Sequence, residues 1–107
     1  MERVLANVLE NALRYSPAEE PVTVEAEVRE GEVAVRVRDR GPGIPERERE
    51  RIFEPFSHGK RGGSGLGLAI ARGFAEGNGG RVWVEPVEEG ASVVFTMPAA
   101  RVPAAFR

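Results

Sequence analysis

Apolar residues recur at helical spacing from the start of the chain. Val4, Leu5, Val8, Leu9, Ala12 and Leu13 share one face of a helix predicted over Met1 to Tyr15. Asn7, Asn11 and Arg14 or Tyr15 stand three to four residues apart and make a second, polar stripe. Ser16-Pro17 ends this helix, because the residue before a proline is pushed out of helical backbone. The period then changes to two. Val22, Val24, Ala26 and Val28 alternate with polar residues, and after a turn near Gly31 so do Val33, Val35 and Val37, predicting a hairpin with one buried and one charged face. Glu46 to Ile52 reads as a short charged helix that delivers Ile52, Phe53 and Phe56 as core anchors. Leu66 to Glu76 reads as a second long helix with Leu66, Ala69, Ile70 and Phe74 facing the core, ended by Gly77-Asn78-Gly79-Gly80. Arg81 to Glu85 and Ala91 to Met97 are the last two strands, and Pro98 onwards reads as a loosely held tail.

Composition narrows the class. The chain has 107 residues, enough for one domain with a single core, and is 41% hydrophobic and 30% charged with a net charge of -2. Both signs of charge are interspersed, which argues against a basic surface for nucleic acid. No apolar run approaches the roughly 18 residues that span a bilayer, and no signal-peptide pattern is present. A cytoplasmic location without membrane contact by this segment is the expectation. The lack of cysteine excludes disulfides, thiolate metal sites and cysteine nucleophiles, and a single histidine, His58, excludes a His-rich metal site.

Three features carry candidate chemistry. Gly62 to Ala71, GGSGLGLAIA, runs glycines directly into a helix start, where unpaired N–H groups and the positive end of the helix dipole suit an anion such as phosphate. A flexible loop before a helix is the plain alternative. Asp39 has the parity of Val33, Val35 and Val37, so it points inward where its strand ends, and a core-facing carboxylate needs a hydrogen-bonding partner. It either caps the following turn or accepts a hydrogen bond from a ligand; Gly41, Pro42, Gly43, Ile44 and Pro45 form a tight turn that lets a flat ligand approach, which favours the second. His58, Lys60 and Arg61 are cations in a glycine-rich loop, able to reach phosphate oxygens or simply to be solvated. For Asn7 and Asn11 a solvated face stands beside a ligand role, and Glu10 is spaced for an ordinary ion pair with Arg14.

In order along the chain, NVLENALRYSP, DRGPGIP, RIFEPF and GGSGLGLAIAR resemble the N box, first glycine box, F box and second glycine box of the ATP-binding domain of sensor histidine kinases, within the gyrase, Hsp90, histidine-kinase and MutL superfamily. The resemblance covers Leu5 to about Pro98, and the RVWVEP and GASVVFTMP ending is similar to the potassium-responsive kinases. It implies an α/β two-layer sandwich of the Bergerat type, a mixed, mainly antiparallel sheet packed on helices, in residues 1–98, with 99–107 as a tail. It also implies ATP and Mg²⁺ as ligands. Asn11 and Asn7 would bind or orient the metal, Arg14 would reach a phosphate, and Tyr15 would lie against adenine or ribose. Asp39 would accept from the adenine amino group, with Gly41 and Gly43 allowing close approach and Ile44 lining the pocket. Lys60 would contact phosphate from the lid, and Gly65, Leu66, Gly67 and Leu68 would form the phosphate cradle.

Members of that family begin with a further strand and helix, so a shortened domain lacking both is expected here, with apolar surface uncovered and open to self-association. The family's phosphoacceptor histidine lies on a separate dimerisation domain, which also carries the usual catalytic acid. His58 is not that residue, and Glu10 is only a weak substitute for the acid. The resemblance thus implies a parent kinase that phosphorylates a histidine on the dimerisation domain and passes the group to a response regulator, with little turnover by this portion alone. A non-catalytic or self-associating nucleotide-binding module and an anti-sigma-factor serine kinase are the alternatives.

Overall fold

The computed structural model describes residues 1–56 and 65–102. The first helix, α1, covers Glu2–Tyr15 and buries Val4, Val8 and Ala12, while Leu5 and Leu9 pack at the margin of the core. Leu13, expected on the same face, is instead 60% exposed, since it lies at the helix end beyond the sheet-covered stripe. Strands β1 (Thr23–Arg29) and β2 (Glu32–Asp39) form the expected hairpin, turning at Gly31 with φ 74°.

Two short 3₁₀ turns, Glu46–Glu48 and Arg51–Phe53, replace the single charged helix expected there. Phe53 is buried, but Phe56 is 69% exposed and is no core anchor. Helix α2 (Gly67–Gly77) buries Leu68, Ala71 and Ala75. This stripe, rather than the expected Leu66, Ala69, Ile70 and Phe74, meets α1 and the sheet, because its alanines allow close helix approach. Ile70 and Phe74 are left exposed, with the Arg3 guanidinium 5.0 Å over the Phe74 ring. Arg72 ties α2 to the preceding segment: it pairs with Glu76 and Glu50, each at 3.2 Å, and lies over Phe53.

Strands β3 (Arg81–Glu85) and β4 (Ala91–Pro98) complete a four-stranded sheet in the order β1-β2-β4-β3. Every pairing is antiparallel. Direct partners share a face, so Val33, Val35 and Val37 line up with Met97, Phe95 and Val93 beneath the helices. Both helices contact β2, β4 or β3. All seven residues of β1 are exposed, including the inner-face Val24 and Val28, so the hairpin is half as buried as its alternation predicts. Residues 99–102 are not loose: Ala99–Arg101 form a 3₁₀ turn, Ala99 N–H donates to Gly31 O at 2.9 Å, and Val102 is buried.

Candidate functional site

The polar stripe of α1 runs past the start of α2. Asn7 Nδ2 donates to the Arg3 carbonyl one turn back at 3.0 Å, and its Oδ1 lies close enough to Gly67 that a Cβ there would stand 3.8 Å away. Asn11 follows one turn on and is likewise half-buried. Helix α2 begins at Gly67 beside this stripe and brings the positive end of its dipole there. Leu68 turns its side chain into the core, which leaves only its backbone for a ligand. Arg14 forms the anticipated ion pair with Glu10 at 3.7 Å, and Glu10 is 71% exposed, a surface pair rather than a buried acid.

At the far end of α1 stands Asp39. It is the last residue of β2, is 5% exposed, and its Oδ1 accepts the Gly41 N–H at 2.8 Å. That bond is the turn cap foreseen as one reading, and it engages one oxygen of the two. Gly41 has no room for a side chain, since a Cβ would overlap the Tyr15 carbonyl oxygen and approach Asp39 Oδ1 to 3.1 Å. Gly43 adopts φ 84°, and its Cβ would come within 3.0 Å of Gly90 O. Ile44 is half-buried on the same turn.

Gly90 and Ala91 were not legible as part of this site. Ala91 pairs directly with Asp39 across the sheet and is buried beside it. Gly90, at φ 69°, sits so close to the Asp39 carbonyl that no Cβ fits. In the sequence this glycine signals only a turn before a strand; its distance from Asp39 along the chain hides the contact.

Asn7 and Tyr15 are eight residues apart on α1 and so about 12 Å apart along its axis. The result is an elongated site, with a buried carboxylate at one end and a helix N-terminus at the other. Lys60, His58 and the first glycines of the Gly62 to Ala71 stretch lie outside the described residues. On either side of them, Phe56 N–H donates to Gly65 O at 2.8 Å, with Phe56 and Gly65 at φ 65° and 74°. Among the described residues no three His, Cys, Asp or Glu side chains are grouped to hold a metal. A divalent cation here would rest on asparagine oxygens and on the phosphates of its own ligand, which suits Mg²⁺.

Residues 1–101 match the family described as histidine kinase-, DNA gyrase B-, and HSP90-like ATPase, and the chain belongs to it. Within that family it is a catalytic ATPase domain of the two-component sensor histidine kinase type. The sensor histidine kinase WalK of Bacillus subtilis is 39% identical over 105 residues, covering 90% of this chain and 17% of WalK. The sensor protein KdpD of Mycobacterium tuberculosis is 47% identical over 87 residues, covering 77% of this chain and 10% of KdpD. Among solved structures, full-length ShkA in complex with AMPPNP superposes with a TM-score of 0.78 at 36% identity, covering 90% of this chain and 20% of ShkA. The histidine kinase ThkA in complex with the response regulator TrrA gives 0.76 at 34%, covering 91% of this chain and 28% of ThkA. The chain thus spans less than a fifth of the curated relatives named here. No helix among the described residues is long and apolar enough to cross a membrane.

Proposed function

We propose that this domain binds ATP with Mg²⁺ in the elongated site between Asp39 and the start of α2. The observation that carries the reading is the buried Asp39 carboxylate, held by Gly41 at one oxygen. Its other oxygen accepts from the adenine amino group. Gly43 and Ile44 line the base, Gly41 joins that turn to α1, and Tyr15 lies at the base or ribose. The phosphates meet the backbone N–H groups of Gly65, Leu66, Gly67 and Leu68, with Arg14 and Lys60 as cations. Asn11 and Asn7 supply amide oxygens to Mg²⁺, which when bound neutralises phosphate charge.

In the parent protein, residues 1–98 form the nucleotide-binding unit and 99–107 its C-terminal extension. That parent donates the γ-phosphoryl group to a histidine on a separate dimerisation domain and relays it to a response regulator in the cytoplasm. The AMPPNP complex of ShkA supports the nucleotide assignment, and the TrrA complex of ThkA supports a response regulator as partner. Calorimetric titration of Asp39→Asn with MgATP tests the reading. A hydrogen bond to a charged acceptor contributes about 1.5–3 kcal/mol, so affinity should fall at least about tenfold. Unchanged affinity would sink the assignment.

A further inference from the structure

On the face of the sheet away from the helices, three side chains tie three strands together just behind the Asp39 site. Arg36 on β2 donates through Nε and Nη2 to the Glu85 carboxylate at the end of β3, the second bond measuring 2.8 Å. Ser92 on β4 donates its hydroxyl to Glu85 Oε2 at 2.6 Å and is wholly buried. Glu85 therefore reaches across β4, which lies between β3 and β2, to join all three strands.

The position of this cluster matters more than its strength. Ser92 pairs with Arg38 on one side and Glu85 on the other, and the adjacent pair is Asp39 with Ala91. Beyond Glu85 the chain leaves the sheet, turns through residues 86–90 and returns at Gly90. Gly90 is the residue whose backbone presses on the Asp39 carbonyl and whose own carbonyl faces Gly43. The two feet of this turn are Glu85 and the Ala91-Ser92 step, where the strand ladder ends, so the Glu85–Ser92 bond reinforces the last ladder pair and Arg36 ties both to β2. Strand ends open readily when nothing holds them; here a charged, three-way hydrogen-bonded group does.

We propose that Glu85 is a positioning residue for the nucleotide pocket, acting from the opposite face of the sheet. Through Arg36 and Ser92 it fixes the turn that seats Gly90 and Ala91 against Asp39. The proposal rests on the assignment of Asp39 to adenine. Glu85 touches no ligand, and its effect is on the depth and alignment of the base pocket.

Titration of the whole chain with MgATP and with MgGTP, alongside thermal melting, tests this. A misplacement of about 1 Å can cost on the order of a hundredfold in rate, and a smaller shift of a binding group costs correspondingly less. Glu85→Ala should therefore raise the ATP dissociation constant about tenfold and narrow the preference for ATP over GTP. Glu85→Gln keeps an acceptor for one Arg36 N–H and a partner for Ser92 but sets its amide N–H group against the other Arg36 donor, and should bind between the parent and Glu85→Ala. General loosening of the fold would lower the melting midpoint without changing the ATP-to-GTP ratio. An unchanged ratio and affinity in Glu85→Ala overturns the proposal, and so does Glu85→Gln binding as weakly as Glu85→Ala. Should Glu85→Ala fail to fold, Ser92→Ala decides: weaker ATP binding and a narrowed ratio support the role, parent-like values overturn it. Normal binding by Asp39→Asn removes the adenine assignment and this proposal with it. Weak binding by Asp39→Asn with parent-like Glu85→Ala removes only the proposal.

Discussion

The carbonyl oxygen of Tyr15, at the end of α1, rests so close to the α-carbon of Gly41 that a Cβ there would overlap it. Backbone meets backbone at this point, and neither side has a flexible group to yield. Gly41 is not at a positive φ, so space alone excludes a side chain. Gly41→Ala should push the turn off α1 and disturb the Gly41–Asp39 hydrogen bond. Overpacking of this kind costs about 1–3 kcal/mol, and each kcal/mol lowers the melting midpoint of a domain this size by about 4–8 °C. A thermal melt showing no shift would mean that the turn relaxes freely.

Phe53 and Phe56, three residues apart in RIFEPF, should respond oppositely to truncation. Phe53 is 4% exposed and sits beneath Arg72, whereas Phe56 is 69% exposed. Phe53→Ala should cost about 3–5 kcal/mol. Phe56→Ala should change stability by no more than about 0.5 kcal/mol. Denaturant unfolding of the two variants measures both, and a large loss for Phe56→Ala would show that its side chain is covered in solution.

The contrast shows what periodicity conveys and what it omits. The two long helices, the four strands and their order were legible because alternation and helical spacing are local properties, whereas the short 3₁₀ turns were not, and the face of Asp39 was legible because parity fixes it. Which faces find a partner depends on neighbours far along the chain. Val24 and Val28 have the right parity for burial but lie on an edge strand outside the helices' cover. Ile70 and Phe74 have helical spacing, yet the smaller Ala71 and Ala75 take the core because α1 packs close there. Gly41 was legible as a site of close approach, but the group that approaches is α1 as well as any ligand. Gly90 could not be connected to Asp39 without the register of β2 on β4.

Acid should weaken the fold partly through Glu85. The hydrogen bond from Arg36 holds its carboxyl below the ordinary glutamate range, and that from Ser92 adds to this. A carboxyl with a lowered folded pKa binds fewer protons folded than unfolded, so its stabilisation is present above the ordinary range, near 4.3. It is lost as pH falls through the folded value. The melting midpoint should therefore drop less between neutral and strongly acidic pH in Glu85→Gln than in the parent. Parallel curves for the two proteins would show that this ion pair contributes nothing to the pH dependence.

Metal dependence should trace to the α1 stripe. Asn7 spends its amide N–H on the Arg3 carbonyl, which fixes the side chain with Oδ1 near Gly67, at the start of α2. Asn11 lies one turn closer to Asp39 on the same face of the helix, where the proposed assignment gives it the metal together with Asn7. The proposed Mg²⁺ site takes its oxygens from the two asparagines and the nucleotide phosphates, so the cation should bind together with the nucleotide. Removing Mg²⁺ with a chelator should then lower the affinity of the parent for ATP by about tenfold or more. Asn11→Ala should bind MgATP about as weakly as the parent binds metal-free ATP, and the chelator should change its affinity little. Adenosine, which carries no phosphate, should bind both proteins alike. An Asn11→Ala variant that kept the full response to Mg²⁺ would place the metal elsewhere, and one that lost adenosine binding as well would show a damaged pocket in place of a missing metal ligand.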